Sequence, residues 1–154
     1  MKARAMVLTL ALCFVGAAVC YADDAQMGTW KLNEAKSKLN PAAPKNHTVV
    51  YAAAGDSVKV TVDGTDSSGK PTHNEWTGKF DGKDYPVTGD PSSDARSYKR
   101  VDDRTLTLTV KKGGKVTTTG SVVVAADGKS RTVTTSGTDS KGKKVSSTGV
   151  YDKH

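Results

Sequence analysis

Val58-Lys59-Val60-Thr61-Val62 and Leu106-Thr107-Leu108-Thr109-Val110 place a large apolar residue at every second position. Successive side chains of an extended chain point to opposite faces, so this period, carried by β-branched residues, predicts half-buried strands. Working outward, turn signals recur at Gly55-Asp56, Asp81-Gly82, Gly89-Asp90, Asp102-Asp103, Gly113-Gly114 and Asp127-Gly128. Asp-Gly and Gly-Gly suit tight hairpins because those turns need positive φ. Cutting there predicts about ten strands, at 27–32, 46–53, 57–64, 71–80, 84–88, 95–101, 104–111, 115–125, 129–138 and 143–152. The connections are short, so the predicted fold class is all-β: an antiparallel up-and-down meander of about 8–10 strands. Only 33–45 is longer; Glu34-Ala35-Lys36-Ser37-Lys38 has room for one helical turn before Pro41 and Pro44 end it.

The N-terminal segment reads differently. Lys2 and Arg4 precede an apolar run over residues 5–20, and Cys20-Tyr21-Ala22 offers small residues around a cleavage point before Asp23-Asp24. That layout predicts a secretory signal peptide over residues 1–22, too short in its apolar part to span as a mature helix. Val19 is larger than the residue a lipoprotein site wants before its cysteine. The expected mature domain, 23–154, is exported to the periplasm or beyond.

Of 154 residues with a formal charge of +7, the mature part keeps 132 and a charge of +5. Both cysteines, Cys13 and Cys20, fall in the leader, which excludes disulfides and thiol chemistry from the domain. Core material is thin: 15 Val, 4 Leu, 4 Tyr, 2 Trp, one Phe and one Met, against 18 Thr and 13 Ser. Without the alternation, such a composition would approach that of disordered chains.

The domain also repeats itself. Residues 49–70, VVYAAAGDSVKVTVDGTDSSGK, match residues 122–143, VVVAADGKSRTVTTSGTDSKGK, at 14 of 22 positions. After a two-residue shift the match resumes, Thr77-Gly78-Lys79-Phe80-Asp81 against Thr148-Gly149-Val150-Tyr151-Asp152. The repeat thus covers 49–80 and 122–152, each copy three strands and two hairpins. Two copies are too few for a solenoid, and a closed sheet removes the edges a Val/Thr-rich meander would expose.

Gly28-Thr29-Trp30 opens the first strand, within MGTWKLN over 27–33, and Val150-Tyr151-Asp152-Lys153 ends the last. This placement resembles the lipocalin and fatty-acid-binding-protein superfamily, and the whole chain looks most like small exported bacterial proteins described as lipocalin-like. The resemblance implies a barrel whose end is plugged by Trp30 and in which Gly28 allows a close turn. The 33–45 connection is too short for the helix pair that lids fatty-acid-binding proteins. Their carboxylate-binding Arg-x-Tyr would fall on Gly149-Val150-Tyr151, so its arginine is missing.

In the repeat, Val58, Val60 and Val62 align with Arg131, Val133 and Thr135, and Trp76, Gly78 and Phe80 with Ser147, Gly149 and Tyr151. If the valines face inward, so does Arg131. It then packs over Trp30, as a late-strand arginine does in lipocalins, or binds an anionic ligand head; the alternative is an arginine in water at the barrel mouth. Trp30, Tyr51, Trp76, Phe80 and Tyr151 are the candidate apolar wall of a ligand cavity, with Arg131 its polar anchor.

Other features point less far. Asp63 to Gly69, and Ser136 to Gly142, have loosely calcium-like Asp spacing but lack clustered carboxylates, and read as hairpin turns. No metal site or cofactor is expected. Lys111, Lys112 and Lys115, with Lys141, Lys143 and Lys144, cluster charge at two hairpin tips. These tips either keep the protein soluble or touch a polyanion or membrane surface; no aromatic interleaves them for base stacking, so specific nucleic acid binding is not expected. His47, His73 and His154 have no metal-ligand spacing, and no nucleophile or phosphate-loop motif occurs, so an enzyme is not expected. Two functions remain for an exported monomer. One is carriage of a small apolar or amphipathic molecule in the barrel. The other is a structural or interaction module with a filled barrel, working through its loops and basic tips.

Overall fold

A computed structural model describes residues 23–138 and 141–154; the expected signal peptide, with Cys13 and Cys20, lies outside them. Among these residues ten strands form: β1 (Gly28–Leu32), β2 (Lys45–Ala54), β3 (Ser57–Thr65), β4 (Pro71–Gly78), β5 (Tyr85–Thr88), β6 (Ala95–Asp102), β7 (Thr105–Lys112), β8 (Lys115–Val124), β9 (Ser130–Thr138) and β10 (Lys144–Lys153). Each pairs antiparallel with its neighbour in sequence, and β1 pairs with both β2 and β10, closing the barrel. The chain is therefore all-β, a closed antiparallel meander. The expected helical turn is a short 3₁₀ segment, Glu34–Lys36, capped by the Asn33 side chain.

Alternation sets the inside. Val58, Val60 and Val62 point inward from β3, while Lys59 and Glu75 pair on the outer face with Nζ–Oε1 at 2.8 Å. Gly113 and Gly114 have φ of 55° and 77°, the doubly left-handed turn that links adjacent twisted strands and that side chains disfavour. Since the sheet is an even meander, turns fall alternately at its two ends. The turns after β3, β5, β7 and β9 share one end with the 33–44 connection. Those after β2, β4, β6 and β8 share the other with residues 23–27 and the C-terminus.

One strand runs shorter than expected. β4 ends at Gly78, and Phe80 lies beyond it, where its carbonyl accepts from Arg100 N at 3.1 Å. The chain there reaches across to β6 instead of continuing along β3.

The two repeat copies are β2–β4 and β8–β10, with one difference of register. Val60 lies opposite Trp76, but its counterpart Val133 lies opposite Gly149. The third strand of the second copy has slid by two residues relative to the sequence match, which keeps every side chain on its face. Trp76 is therefore matched in space by Gly149 and not by Ser147.

Candidate functional site

The end carrying the termini is solid. Trp30 is fully buried, and its Nε1 donates to the Gln26 carbonyl at 2.8 Å; Gln26 Nε2 donates to the Arg104 carbonyl at 3.0 Å. Gly28 holds φ +106°, a conformation closed to ordinary L side chains, and this turn brings residues 23–27 back under the barrel. Val58, Val60, Leu106 and Val124 fill the layer above. Trp76 stands edge-on to Tyr98, centroids 4.9 Å apart, stacks with Phe80 and donates Nε1 to the Arg96 carbonyl at 2.8 Å. Each such contact adds about 0.5–1.5 kcal/mol beyond area burial.

Arg131 sits above this plug at 2 % exposure. Its Cζ lies 4.8 Å from the Trp30 ring centroid, 4.7 Å from that of Tyr51 and 5.2 Å from that of Tyr151. A guanidinium keeps its charge in any protein, so this is a buried cation held between three aromatic faces. Nε and Nη1 have no hydrogen-bond partner among the described residues. Of the positions open to Arg131, packing over Trp30 is the one it takes; an arginine in water at the mouth is not what forms, because β9 aims it inward at the plugged end. Burial pushes the Tyr51 hydroxyl well above the usual phenol range, with Tyr98 adding to the shift and Arg131 opposing it. Tyr151 shifts the same way, again through burial, with Arg131 opposing and Tyr98 reinforcing.

From this floor a cavity of about 450 Å³ opens toward the opposite end, between the 33–44 connection and the β3–β4 and β5–β6 turns. Tyr51, Tyr98, Tyr151 and Arg131 form its depth, and Val49, Val62, Leu108 and Val133 stand along its walls. The volume is within the usual range for small-molecule sites, about 300–1,000 Å³. Gly149 lines it too, with no side chain to occupy the space that Trp76 fills in the first copy. A Cβ on Gly149 would stand 3.0 Å from Tyr151 Cε2, so the glycine also seats that ring.

Of the six residues expected around a cavity, Tyr51, Arg131 and Tyr151 line it. Trp30, Trp76 and Phe80 do not: they are buried in the core of the plugged half, Trp76 stacked with Phe80 and Trp30 beneath Arg131. Sequence reasoning missed Tyr98, Arg96 and Asn74. Arg96 and Tyr98 share the inward face of β6; the alternation Arg96-Ser97-Tyr98 was the available signal, obscured by a strand with little aliphatic content. Arg96 Nη2 lies 3.3 Å from Asn74 Oδ1 and 3.8 Å from Asp90 Oδ2. Burial raises the Asp90 carboxyl, but hydrogen bonds from Ser92 and Ser93, with Arg96 nearby, outweigh it and leave the group below its ordinary value.

The remaining candidates are placed as follows. Asp66 Oδ1 accepts from Ser68 N, Ser68 Oγ and Lys70 N at 2.7–3.0 Å, which makes the loop an Asx-type turn and ties up the oxygen. Asp139, in the second copy, lies outside the described residues. The β7–β8 and β9–β10 tips, with Lys111, Lys112, Lys115, Lys141, Lys143 and Lys144, fall at the same end of the barrel as the cavity opening, but none of these lysines lines the cavity. Lys111 Nζ is 2.6 Å from Asp84 Oδ2. His73 Nδ1 bonds Asp63 Oδ1 at 2.6 Å on the outer face, far from the cavity, and this bond holds its pKa above the ordinary value.

No protein-family model matches the chain, and no curated protein matches it. Among solved structures it is similar to EF1p2_mFAP2b bound to DFHBI, with TM-score 0.50 and 11% identity over 84% of this chain and 94% of that one. A redesigned β-barrel, b11L5F_LGL, aligns with TM-score 0.45 and 15% identity over 90% and 99%. At such identities the first likeness speaks for the fold alone, a closed antiparallel β-barrel.

Proposed function

We propose that the protein is a binding barrel that takes up a small apolar or amphipathic molecule, and that it belongs with the exported lipocalin-like proteins it resembles, acting in the periplasm or outside the cell as a monomer without catalytic chemistry. The observation that carries this reading is the cavity of about 450 Å³, lined by aliphatic side chains such as Val49, Val62, Leu108 and Val133 together with polar ones such as Asn74, Arg96 and Thr135, and open at one end. Its shape suits affinity gained by enclosing apolar ligand surface, with few polar groups fixing orientation. A filled barrel working only through its loops would leave that space unexplained. The similar barrel EF1p2_mFAP2b binds DFHBI, a precedent for a ligand within this architecture.

The test is titration with Nile red, a neutral solvatochromic dye. Saturable uptake at one dye per chain is expected, weakened at least tenfold by Thr135→Phe, which places a ring in the cavity. Absence of saturable uptake, with a clean apo mass for protein purified from its own host, would overturn the reading.

A further inference from the structure

The upper part of the cavity differs in chemistry from its middle. Below the opening, β8, β9 and β10 contribute Thr118, Thr135 and Ser147, and β4, β6 and the β5–β6 turn contribute Asn74, Arg96 and Asp90. Deeper in, Val49, Val62, Leu108 and Val133 make an aliphatic belt, and the rings of Tyr51, Tyr98 and Tyr151 end it. In the repeat, Thr135 stands where the first copy has Val62. The two side chains share a shape, so what the second copy adds there is a hydroxyl. Arg96 Nη2 donates to Asn74 Oδ1 at 3.3 Å and lies 3.8 Å from Asp90 Oδ2, while Ser147 Oγ accepts from Asn40 N at 3.0 Å. Among the described residues these contacts leave most of the guanidinium donors, the Asn74 amide donors and the Ser147 O–H to spare. Charge at this level balances: Lys45 and Arg96 stand against Asp66 and Asp90 around the opening. The tier thus offers mixed donors and acceptors, with no net charge, above apolar space.

Resting on the reading of the cavity as a ligand site, we propose that its ligand carries a neutral polyhydroxyl head, a sugar or similar polyol, held at the mouth with a short apolar tail pointing down. Each hydroxyl of such a head both donates and accepts, which is what a mixed tier of hydroxyls, amide, carboxylate and guanidinium satisfies. A charged head gains little where the surrounding charges cancel, and an alcohol with a single hydroxyl leaves most of the tier unpaired. The tail length follows from the strand. Thr135 and Arg131 are four residues apart on β9, about 13 Å along the strand and about 10 Å along the barrel axis at a tilt of about 40°, room for about eight extended carbons.

The experiment is competition against Nile red by octyl glucoside, octanol and octanoate, which share one tail, below the micellar range of the glucoside. The glucoside is expected to compete at least tenfold better than the other two, and to gain affinity from hexyl to octyl but little beyond decyl. Thr135→Val combined with Ser147→Ala should cut the glucoside's advantage over octanol about fivefold or more while Nile red still binds. Should that variant fail to fold, the Asn74 side-chain amide resonances of the wild-type protein give the same answer, since they should shift with the glucoside and stay in place with octanol. A glucoside no better than octanol, or octanoate better than both, with Nile red bound, would overturn the polyol head and leave the binding barrel standing. Loss of Nile red uptake itself would remove both.

Discussion

In the first repeat copy Val58, Val60 and Trp76 close into solid packing, whereas the places they match in the second are held by Arg131, Val133 and Gly149. The strands and hairpins are alike, and the backbones do the same work. What differs is volume and charge: the second copy swaps an indole for a hydrogen and a valine for a guanidinium. One copy builds the plug, and the other opens the cavity and electrifies its floor. The outer faces differ as well. Lys59, Asp63, His73 and Glu75 form a charged network on β3 and β4, while Thr132, Ser136, Ser146 and Thr148 occupy the corresponding positions on β9 and β10. Duplication preserved the alternation that makes strands and left side-chain identity free to diverge.

The contrast can be broken at its strongest point by Trp76→Ala, which should cost about 3–5 kcal/mol in urea unfolding, as large-to-small changes in packed cores do. Gly149→Ala, at the matching place, should cost less, about 1–2 kcal/mol, because its one tight contact is the edge of the buried Tyr151 ring, which a methyl group would crowd without opening a void. Equal effects would mean the second copy is packed as tightly as the first.

Next comes Val58→Arg. Placing a cation in the first copy, without the three-ring cage, should destabilise by about 3 kcal/mol or more, whereas Arg131→Val should stay within about 1 kcal/mol either way. A reversal of that order would show that the rings around Arg131 hold the barrel together and that the arginine is structural.

Thr135→Phe sharpens the comparison through ligand uptake. It should weaken Nile red by at least tenfold, about 1.4 kcal/mol, while its unfolding free energy moves by less. A large loss of stability with unchanged uptake would relocate the open space.

The smallest effect is on the outer face. His73 should titrate above the ordinary histidine pKa by NMR, and Asp63→Asn should bring it down, because their hydrogen bond is the main cause of the shift. A histidine raised in the folded state stabilises most below its unfolded pKa of about 6.5, and that contribution fades as pH rises through the folded value. Ser146, opposite Ser136 on the second copy, supplies no counterpart. A pKa unmoved by Asp63→Asn would remove the network from the comparison.

The fold was legible because alternation and turn chemistry are local. Val58 to Val62 and Leu106 to Val110 announce their faces, and Gly113-Gly114 announces its turn, without reference to the rest of the chain. Phe80 shows where locality ends. Its spacing from Trp76 placed it on the same strand, but β4 stops at Gly78 and the ring drops into the plug. Tyr98 shows the converse: a polar-looking strand concealed a residue central to the site, since only closure of the barrel brings β6 opposite Arg131 and Tyr51.

By itself the sequence determined an all-β meander and its turns, and it tied the face of Arg131 to that of Val58, all consequences of period two acting over a few residues. Tertiary structure decided which end is plugged and which is open, that the lysine tips gather at the open end, and that three rings enclose the arginine without pairing its charge. Those outcomes depend on register and closure, which join residues as far apart as Trp30, Tyr51, Arg131 and Tyr151. A two-residue slide of β10 leaves every face unchanged, yet it sets Gly149 where an indole would have filled the space.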